Sequence, residues 1–332
     1  MAEPSTKPSI YYACTLPVRA GGQLVNFQHV ASLRRLGWRA FAWLQEGSPI
    51  EWPSQPFPVP MVQSGPHHKW TAHDVLVLPE VWSDSGWQGM REQGCQLVMH
   101  NQNPFYTFRG LPNLDALNAF PLAGALCCSA FTRDTLQAWG STTDWQVVQP
   151  MVLPHFEQAL ARVGGLSAKR QQIAFMPRKR PNEAKQLQQW FAALCPQWAH
   201  VPWVEVDGMS RPQVAQTLAE SLVFVSLSKD EGLGLPPLEA MAAGCLVAGF
   251  TGGGGQEYAT PDNGLWAGEA QLPELALAIA SLLAMDAPKQ AARVQAGQAT
   301  AALFDAANFD AQLNAAWHQL LGDKAATYRS GA

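Results

Sequence analysis

Short apolar runs separated by helix-length amphipathic segments constrain this chain more than any other feature. Strands are expected at Ile10–Cys14, Ala40–Leu44, Val75–Leu78, Gln96–His100, Ala125–Cys128 and Trp145–Val148. Between them Leu24–Leu36 reads as a helix stopping at Gly37, and Thr132–Trp139 as one stopping at Gly140, since glycine is the usual residue just past a helix end. That order of elements is the signature of a parallel α/β sheet. The pattern weakens between Val152 and Gln171, where Gly164-Gly165 interrupts it, and then a second series begins. Its strands are expected at Ile173–Met176, Trp203–Val206, Leu222–Leu227 and Cys245–Phe250, and its helices at Pro181–Leu194, Pro212–Ser221 and Pro237–Ala243. An Ala-rich helical tail runs from Pro273 to about Leu321. Two similar α/β domains follow, residues 1–155 and 156–310, with residues 311–332 as a last helix and tail.

Composition agrees with two domains and narrows the function. The chain has 332 residues, 47% hydrophobic and only 14% charged, enough apolar material for two cores and little for disorder. A net charge of −4 supplies no basic field to collect nucleic acid by counterion release. The six cysteines form no C-x-x-C pair and mostly sit in apolar runs, so buried free thiols in a reducing cytoplasm are expected. Residues 1–9 are polar with no apolar stretch after them, which argues against a signal peptide. No apolar run reaches the roughly 18 residues of a membrane span. Residues 45–75, rich in Pro, Gly, Ser and His, read as a long loop or lid. Trp52, Trp70, Trp82 and Trp87 lie in loop-like sequence; packing is the simpler reading, and a sugar, lipid or partner surface is the alternative. The three imidazoles of His67, His68 and His73 lack cysteine or carboxylate companions at metal-ligand spacing, so no metal site is expected there.

The segment SKDEGLGLPPLEAMAAGCLVAGF, beginning at Ser228, carries the chemistry. It follows the expected strand Leu222–Leu227 and places Glu231 and Glu239 on either side of GLGLPPL. Glycines permit unusual backbone angles and close approach of a ligand to the main chain. Two prolines then open a helix, where a missing N–H costs nothing. The free N–H groups of that first turn, together with the helix dipole, favour an anion. Acceptor-only carboxylates at both edges of a phosphate cradle suit hydroxyl-rich groups, a sugar on one side and a ribose on the other. A second polar cluster, His100, Asn101, Gln102 and Asn103, follows the strand Gln96–His100. The carboxyl end of a parallel strand is where open α/β sheets hold ligands, so this cluster is a candidate cleft wall.

The Glu231–Glu239 segment resembles the E-x7-E motif of the family 4 (group 1) retaining glycosyltransferases, whose typical string reads close to EGFGLPPLEAMACGCPV. The resemblance extends through Gly252–Ala259, similar to that family's Gly-Gly-x-x-Glu turn, and covers most of residues 170–265. It continues more loosely in LPVRAGGQLVNFQHVASLRRLGW and ALCCSAFTRDTL. It implies the GT-B architecture, two Rossmann-like domains facing across a cleft, with the C-terminal helix and tail, residues 311–332, packing back on the first domain. It further implies that Glu231 contacts the donor sugar, that Glu239 holds the ribose hydroxyls, and that the backbone of Gly232, Leu233, Gly234 and Leu235 faces the sugar and diphosphate. The family's diphosphate-neutralising Arg and Lys map onto IAFMPRKRPNEAK, with Arg178 and Lys179 as first candidates and Arg180 and Lys185 behind them. The spacing departs from the family's Gly-Arg, Lys-Gly pattern. Gly21 and Gly22 correspond to the N-terminal glycine loop that lets donor phosphates approach the backbone, His100 to a catalytic-region histidine, and His29 and Arg133 to further cleft residues.

The same resemblance implies retention of anomeric configuration by front-face attack, without a metal or cofactor, the nucleotide-diphosphate sugar being a substrate carrying UDP or GDP. No D-x-D triplet is present. The acceptor (glycan, lipid or small molecule), contact with the inner face of the membrane and the oligomeric state are left open by the residues. A nucleotide-sugar-binding protein without turnover is the alternative of another class. A nicotinamide enzyme is disfavoured because no G-x-G-x-x-G follows the first strand, and a P-loop kinase because no G-K-[ST] exists.

Overall fold

A computed structural model describes residues 7–14, 21–44, 58–63, 70–82 and 84–329. The chain forms two units, one built from residues 1–150 and 307–332, the other from residues 151–306. In the first, β1 (Ile10–Ala13), β2 (Ala40–Leu44), β3 (Met61–Gln63), β4 (Val75–Pro79), β5 (Gln96–Asn101), β6 (Gly124–Cys127) and β7 (Trp145–Val147) make one parallel sheet in the order β3-β2-β1-β4-β5-β6-β7. In the second, β8 (Arg170–Phe175), β9 (Trp203–Glu205), β10 (Ser221–Leu227), β11 (Leu246–Phe250) and β12 (Gly264–Trp266) are again all parallel, in the order β12-β11-β10-β8-β9. Strand order reverses between β1 and β4 in the first sheet and between β8 and β10 in the second. At such a switch point the loops leaving two neighbouring strands diverge, and the crevice outside their carboxyl ends is open to a ligand.

Each unit has its own core. Leu76, Leu78, Met99, Trp87 and Trp145 fill one in the first unit, and Ile173, Val225, Phe250, Leu275 and Ile279 one in the second. Trp87 belongs to this interior, in the helix Asp84–Glu92, and not to a loop surface. Trp70 and Trp82 are partly buried, against Tyr11 and Trp43. Trp52, His67, His68 and most of the expected lid lie outside the described residues; the part of it at Met61–Gln63 is the edge strand β3, paired with β2. All six cysteines are buried thiols, none of them in a disulfide. Among the described residues no helix is long and apolar enough to cross a membrane.

The division differs by a few residues from the expected one, for local reasons. Val152 N–H donates to Phe304 O at 2.8 Å, which ties residues after Pro150 to the second unit. Gln149 N–H donates to Gln312 Oε1 at 2.9 Å, within the first. The helical tail expected from Pro273 is divided into three helices, Leu272–Ala284, Ala287–Ala302 and Ala306–Leu321. Asp286 starts the second by accepting from Lys289 N–H at 3.0 Å. The third is part of the first unit. There Trp317 Nε1 donates to Tyr12 Oη at 3.2 Å, Trp38 Nε1 to Asn314 Oδ1 at 3.0 Å, and Arg35 pairs with Asp310 at 2.7 Å.

Candidate functional site

At the switch point of the second sheet, two turns of opposite charge leave neighbouring strands. β8 runs into Met176–Arg180, and β10, paired with it through Val225 and Phe175, runs into Ser228–Glu231. Lys179 crosses from one to the other. Its Nζ lies 2.8 Å from Glu231 Oε1 and donates to the carbonyls of Lys229 at 2.7 Å and Asp230 at 3.0 Å. Asp230 sits at φ +48°, a left-handed conformation that aspartate tolerates better than most residues. Arg180, 4% exposed, donates to Ser228 O at 3.2 Å, pairs with Glu183 at 2.8 Å and with Glu269, and stacks its guanidinium 4.9 Å from the centre of the Phe250 ring. Arg180 is therefore occupied as a staple. Arg178 is exposed and makes no hydrogen bond or ion pair among the described residues; Lys185 is exposed as well.

The glycine turn after Glu231 is shaped by backbone packed on backbone. Glu231 N–H donates to Gly252 O at 2.8 Å, and Gly254 N–H to Glu231 O at 3.0 Å. A Cβ on Gly254 would fall 2.2 Å from the Gly232 carbonyl oxygen, so only glycine permits this approach. Gly234, at φ +85°, is the residue before the helix Leu235–Ala242, and the Tyr258 hydroxyl donates to its carbonyl at 2.6 Å. Gly232, Leu233 and Gly234 are buried and Leu235 half-buried. Pro236 and Pro237 carry no N–H, so the Leu235 N–H is the donor that the first residues of this helix can turn toward an anion. Tyr258 was not picked out from sequence. Its position in GGGGQEYA is the signal, because the residue that closes a glycine turn sets the turn's shape.

Glu239 lies one turn into the same helix and is half-buried. Burial pushes its carboxyl above the usual carboxylate range, and the charge of Arg211 works against that rise. Arg211, the first residue of the helix Arg211–Glu220, is another group the sequence did not single out. The structure thus brings Lys179, Glu231 and the glycine turn together, and places Glu239 one turn further along.

The site residues of the first unit lie at the carboxyl ends of β1 and β5. Gly21 and Gly22 are the first two residues of the helix Gly21–Arg35, not a loop. A Cβ on Gly22 would lie 3.0 Å from Gln102 Oε1, and Gln102 Nε2 donates to Gly22 O at 3.1 Å, so the helix start rests on this amide. His100 is 1% exposed; its Nδ1 is 3.2 Å from Asn26 Oδ1, and its ring centre is 4.6 Å from that of His29. Burial lowers the pKa of both imidazoles, His100 to about 3. Asn101 and Asn103 are buried and serve the loop itself, Asn101 Nδ2 reaching Thr107 Oγ1 at 2.6 Å and Asn103 Oδ1 accepting from Phe105 N–H at 3.0 Å. Arg133 pairs with its neighbour Asp134 at 2.8 Å. Among the described residues the large exposed aromatics of this unit are Phe105, Phe108 and Trp139, whereas Trp87 is buried and Trp70 and Trp82 are partly buried. No group of three or more metal-ligating side chains occurs among the described residues.

A family model described as glycosyl transferases group 1 matches residues 182–300, the stretch holding Glu231, Glu239 and the glycine run. An alpha-1,6-glucosyltransferase of Actinobacillus pleuropneumoniae serotype 7 (strain AP76) is 30% identical over 250 residues, which is 74% of this chain and 73% of that protein. Among solved structures, Alr3699/HepE of Anabaena in complex with UDP and glucose superposes with a TM-score of 0.70 at 14% identity, over 93% of this chain and 98% of that one. Sucrose-phosphate synthase (tll1590) from Thermosynechococcus elongatus gives 0.69 at 17% identity, over 95% and 99%. At these identities the structural likeness concerns the fold, which is GT-B.

Proposed function

Because this chain belongs to the group 1 glycosyltransferases, we propose that it moves a sugar from a nucleoside-diphosphate donor to a hydroxyl acceptor with retention of anomeric configuration, and without a metal. The observation that carries the reading is the convergence of Lys179, Glu231 and a glycine-led helix start at one sheet switch point. The donor diphosphate lies against the amides of Gly232–Leu235, with Arg178 as the exposed cation that folds over it. Glu231, oriented by Lys179 through one oxygen, offers its other oxygen to the hydroxyls of the transferred sugar. Glu239 holds the ribose.

In the reaction the bond between the anomeric carbon and the β-phosphate oxygen breaks while the acceptor oxygen bonds to that carbon from the same face. The acceptor proton passes to the departing phosphate oxygen. No enzyme base is needed on this route; the protein supplies position and stabilises charge on the leaving group. UDP-glucose is the first donor to test, since a structure of Alr3699/HepE holds that compound and the Actinobacillus relative is named as a glucosyltransferase.

The test is a thermal shift with UDP-, GDP- and ADP-sugars, where a ligand bound to the native state raises Tm by mass action, followed by turnover with glycan, lipid and small-molecule acceptors. Glu239→Ala and Arg178→Ala are each expected to lower kcat/KM for the donor by about 10- to 100-fold, the loss of one charged hydrogen bond, with the unliganded Tm little changed. Wild-type kinetics in both variants would remove this site assignment. Binding without turnover would instead point to a nucleotide-sugar-binding protein.

A further inference from the structure

Arg178, Lys179 and Arg180 follow one another on the turn that leaves β8, and two of the three commit their donors to the neighbouring turn. Arg180 donates to Ser228 O at 3.2 Å. Lys179 Nζ has Lys229 O at 2.7 Å, Asp230 O at 3.0 Å and Glu231 Oε1 at 2.8 Å. Each residue from Ser228 to Glu231 is thus held from the β8 side. An ammonium has three N–H groups and accepts nothing. Three oxygens at hydrogen-bonding distance saturate it, so Lys179 can reach a phosphate only by giving one of them up. The same clamp holds Asp230 at φ +48°, a conformation that is costly for a residue with a side chain. Glu231 is also tied through its main chain, to Gly252 O by its N–H and to Gly254 N–H by its carbonyl. With the backbone and one carboxylate oxygen both fixed, the direction of the second oxygen is set.

We propose that Lys179 is a positioning residue, which shapes the Ser228–Glu231 turn and aims Glu231 at the transferred sugar, and that it makes no contact with the donor diphosphate, whose charge is met by Arg178. This rests on the donor reading above, in which Glu231 holds the sugar. The residue types fit the division. A lysine ammonium is a compact charge on a flexible stem, and its three N–H groups can converge on oxygens from three different residues. A guanidinium holds its donors in one plane, a fork that suits two oxygens of one carboxylate or phosphate. Arginine can therefore stand in for lysine on a phosphate but not at this three-way clamp. Arg178, exposed and without a hydrogen bond or ion pair among the described residues, keeps its fork available. Adjacent cations on one turn so act on different parts of the donor, one on the sugar through Glu231 and one on the leaving group.

The experiment is calorimetric titration of two ligand pairs, UDP with UDP-glucose and GDP with GDP-glucose. The proteins are the wild type, Lys179→Met, Lys179→Arg, Glu231→Gln and the double variant Lys179→Met/Glu231→Gln. For the pair that binds, Lys179→Met should weaken the nucleotide sugar about tenfold, the scale of one charged hydrogen bond, and the free nucleoside diphosphate less than about twofold. Lys179→Arg should behave as Lys179→Met does. Once Glu231→Gln is in place, adding Lys179→Met should change little, because a residue that acts through another does not add to its loss. A lysine that gripped the diphosphate would give the reverse: equal losses for both members of the pair, near-wild-type binding in Lys179→Arg, and additive effects in the double variant. That pattern, or unchanged binding in Lys179→Met, would overturn the assignment of Lys179 while leaving the donor site standing. If the wild type bound none of the four ligands, the donor reading would fall and this one with it. Tm of each variant separates a lost contact from a lost fold, and Lys179→Arg, which keeps the charge, carries the test if Lys179→Met does not fold.

Discussion

Glu80 is the side chain with most to reveal about how the first unit holds its loops. It follows β4 at the switch point of that sheet, is 3% exposed, and accepts from Gln102 N–H at 3.2 Å. Burial pushes its carboxyl up to about 7, against the N–H groups of the Gln102 loop and the charge of Arg109. In an unfolded chain it would ionise near 4.5. Between those values the native state still holds a proton that the unfolded state has given up, so folding stability falls as pH rises through that window and is level outside it. Glu80→Gln abolishes this slope. The stability of the variant relative to wild type should therefore climb by up to about 3 kcal/mol between pH 4 and pH 8, at roughly 1.4 kcal/mol per unit, in urea unfolding curves. His100, held near 3 by burial, gives the opposite slope, its stabilising effect draining away as pH drops below 6.5. That slope is common to both proteins and cancels in the comparison. A constant difference across the range would mean that Glu80 titrates normally. The Gln102 amide rests on the start of the helix Gly21–Arg35, so the same carboxyl indirectly sets where Gly22 lies.

At the scale of elements, the glycine run from Gly252 to Gly255 and the turn from Glu231 to Gly234 form one structure. Gly254→Ala would drive a methyl group into the Gly232 carbonyl and must separate the two backbones. The expected cost is about 1–3 kcal/mol, typical of overpacking, and the affinity for UDP should drop about tenfold because the anion-binding turn moves. Tyr258→Phe removes only the hydrogen bond to Gly234 O, about 1 kcal/mol, and should leave binding nearly intact. Thermal melts with a UDP titration give both orderings, and a Gly254→Ala protein as stable as wild type would show that the close approach is dispensable. This pair of turns also marks how far the sequence could be read. Glu231, the glycines, the prolines and Glu239 are contiguous, so their roles follow from local backbone chemistry. The pairing of Lys179 with Glu231 was hidden because it depends on β8 lying beside β10, with the intervening β9 at the sheet edge. Arg211 was hidden in an ordinary helix start. Of the three-residue edge strands, β7 and β9 were read while β3 and β12 were missed: β3 lies in the Pro- and Gly-rich stretch read as a loop, and β12 opens on a glycine after a polar turn. The core strands, Ala40–Leu44 among them, were legible to within a residue or two because a buried strand is a nearly uninterrupted apolar run, except that β8 begins three residues before the expected Ile173, on the polar and exposed Arg170 and Gln171.

For the whole molecule the notable feature is that the chain leaves the second unit to finish in the first. The helical period of Ala306–Leu321 was plain in the sequence and the family resemblance pointed it to the first domain, but the residues it packs on were not legible, since an amphipathic helix states which face is buried and not against what. Trp317, 0% exposed, answers that question: it lies against Tyr12 on β1, whose hydroxyl is also 2.9 Å from His29 Nδ1. Trp317→Ala should cost about 3–5 kcal/mol, and the loss should be felt where the contact is. Hydrogen exchange monitored by mass spectrometry should show amides of β1, β2 and β4 exchanging much faster in the variant. Those of β8, β10 and β11, whose core contains none of the C-terminal helix, should retain their protection. Donor added to the variant should still protect the Ser228–Leu235 segment, because Arg178, Glu231, the Gly232–Leu235 turn and Glu239, the residues proposed to hold the donor, all lie in the second unit. Equal loss of protection in both sheets would instead mean that the two cores open as one, and that the C-terminal helix supports the donor site as well as the sheet it packs on.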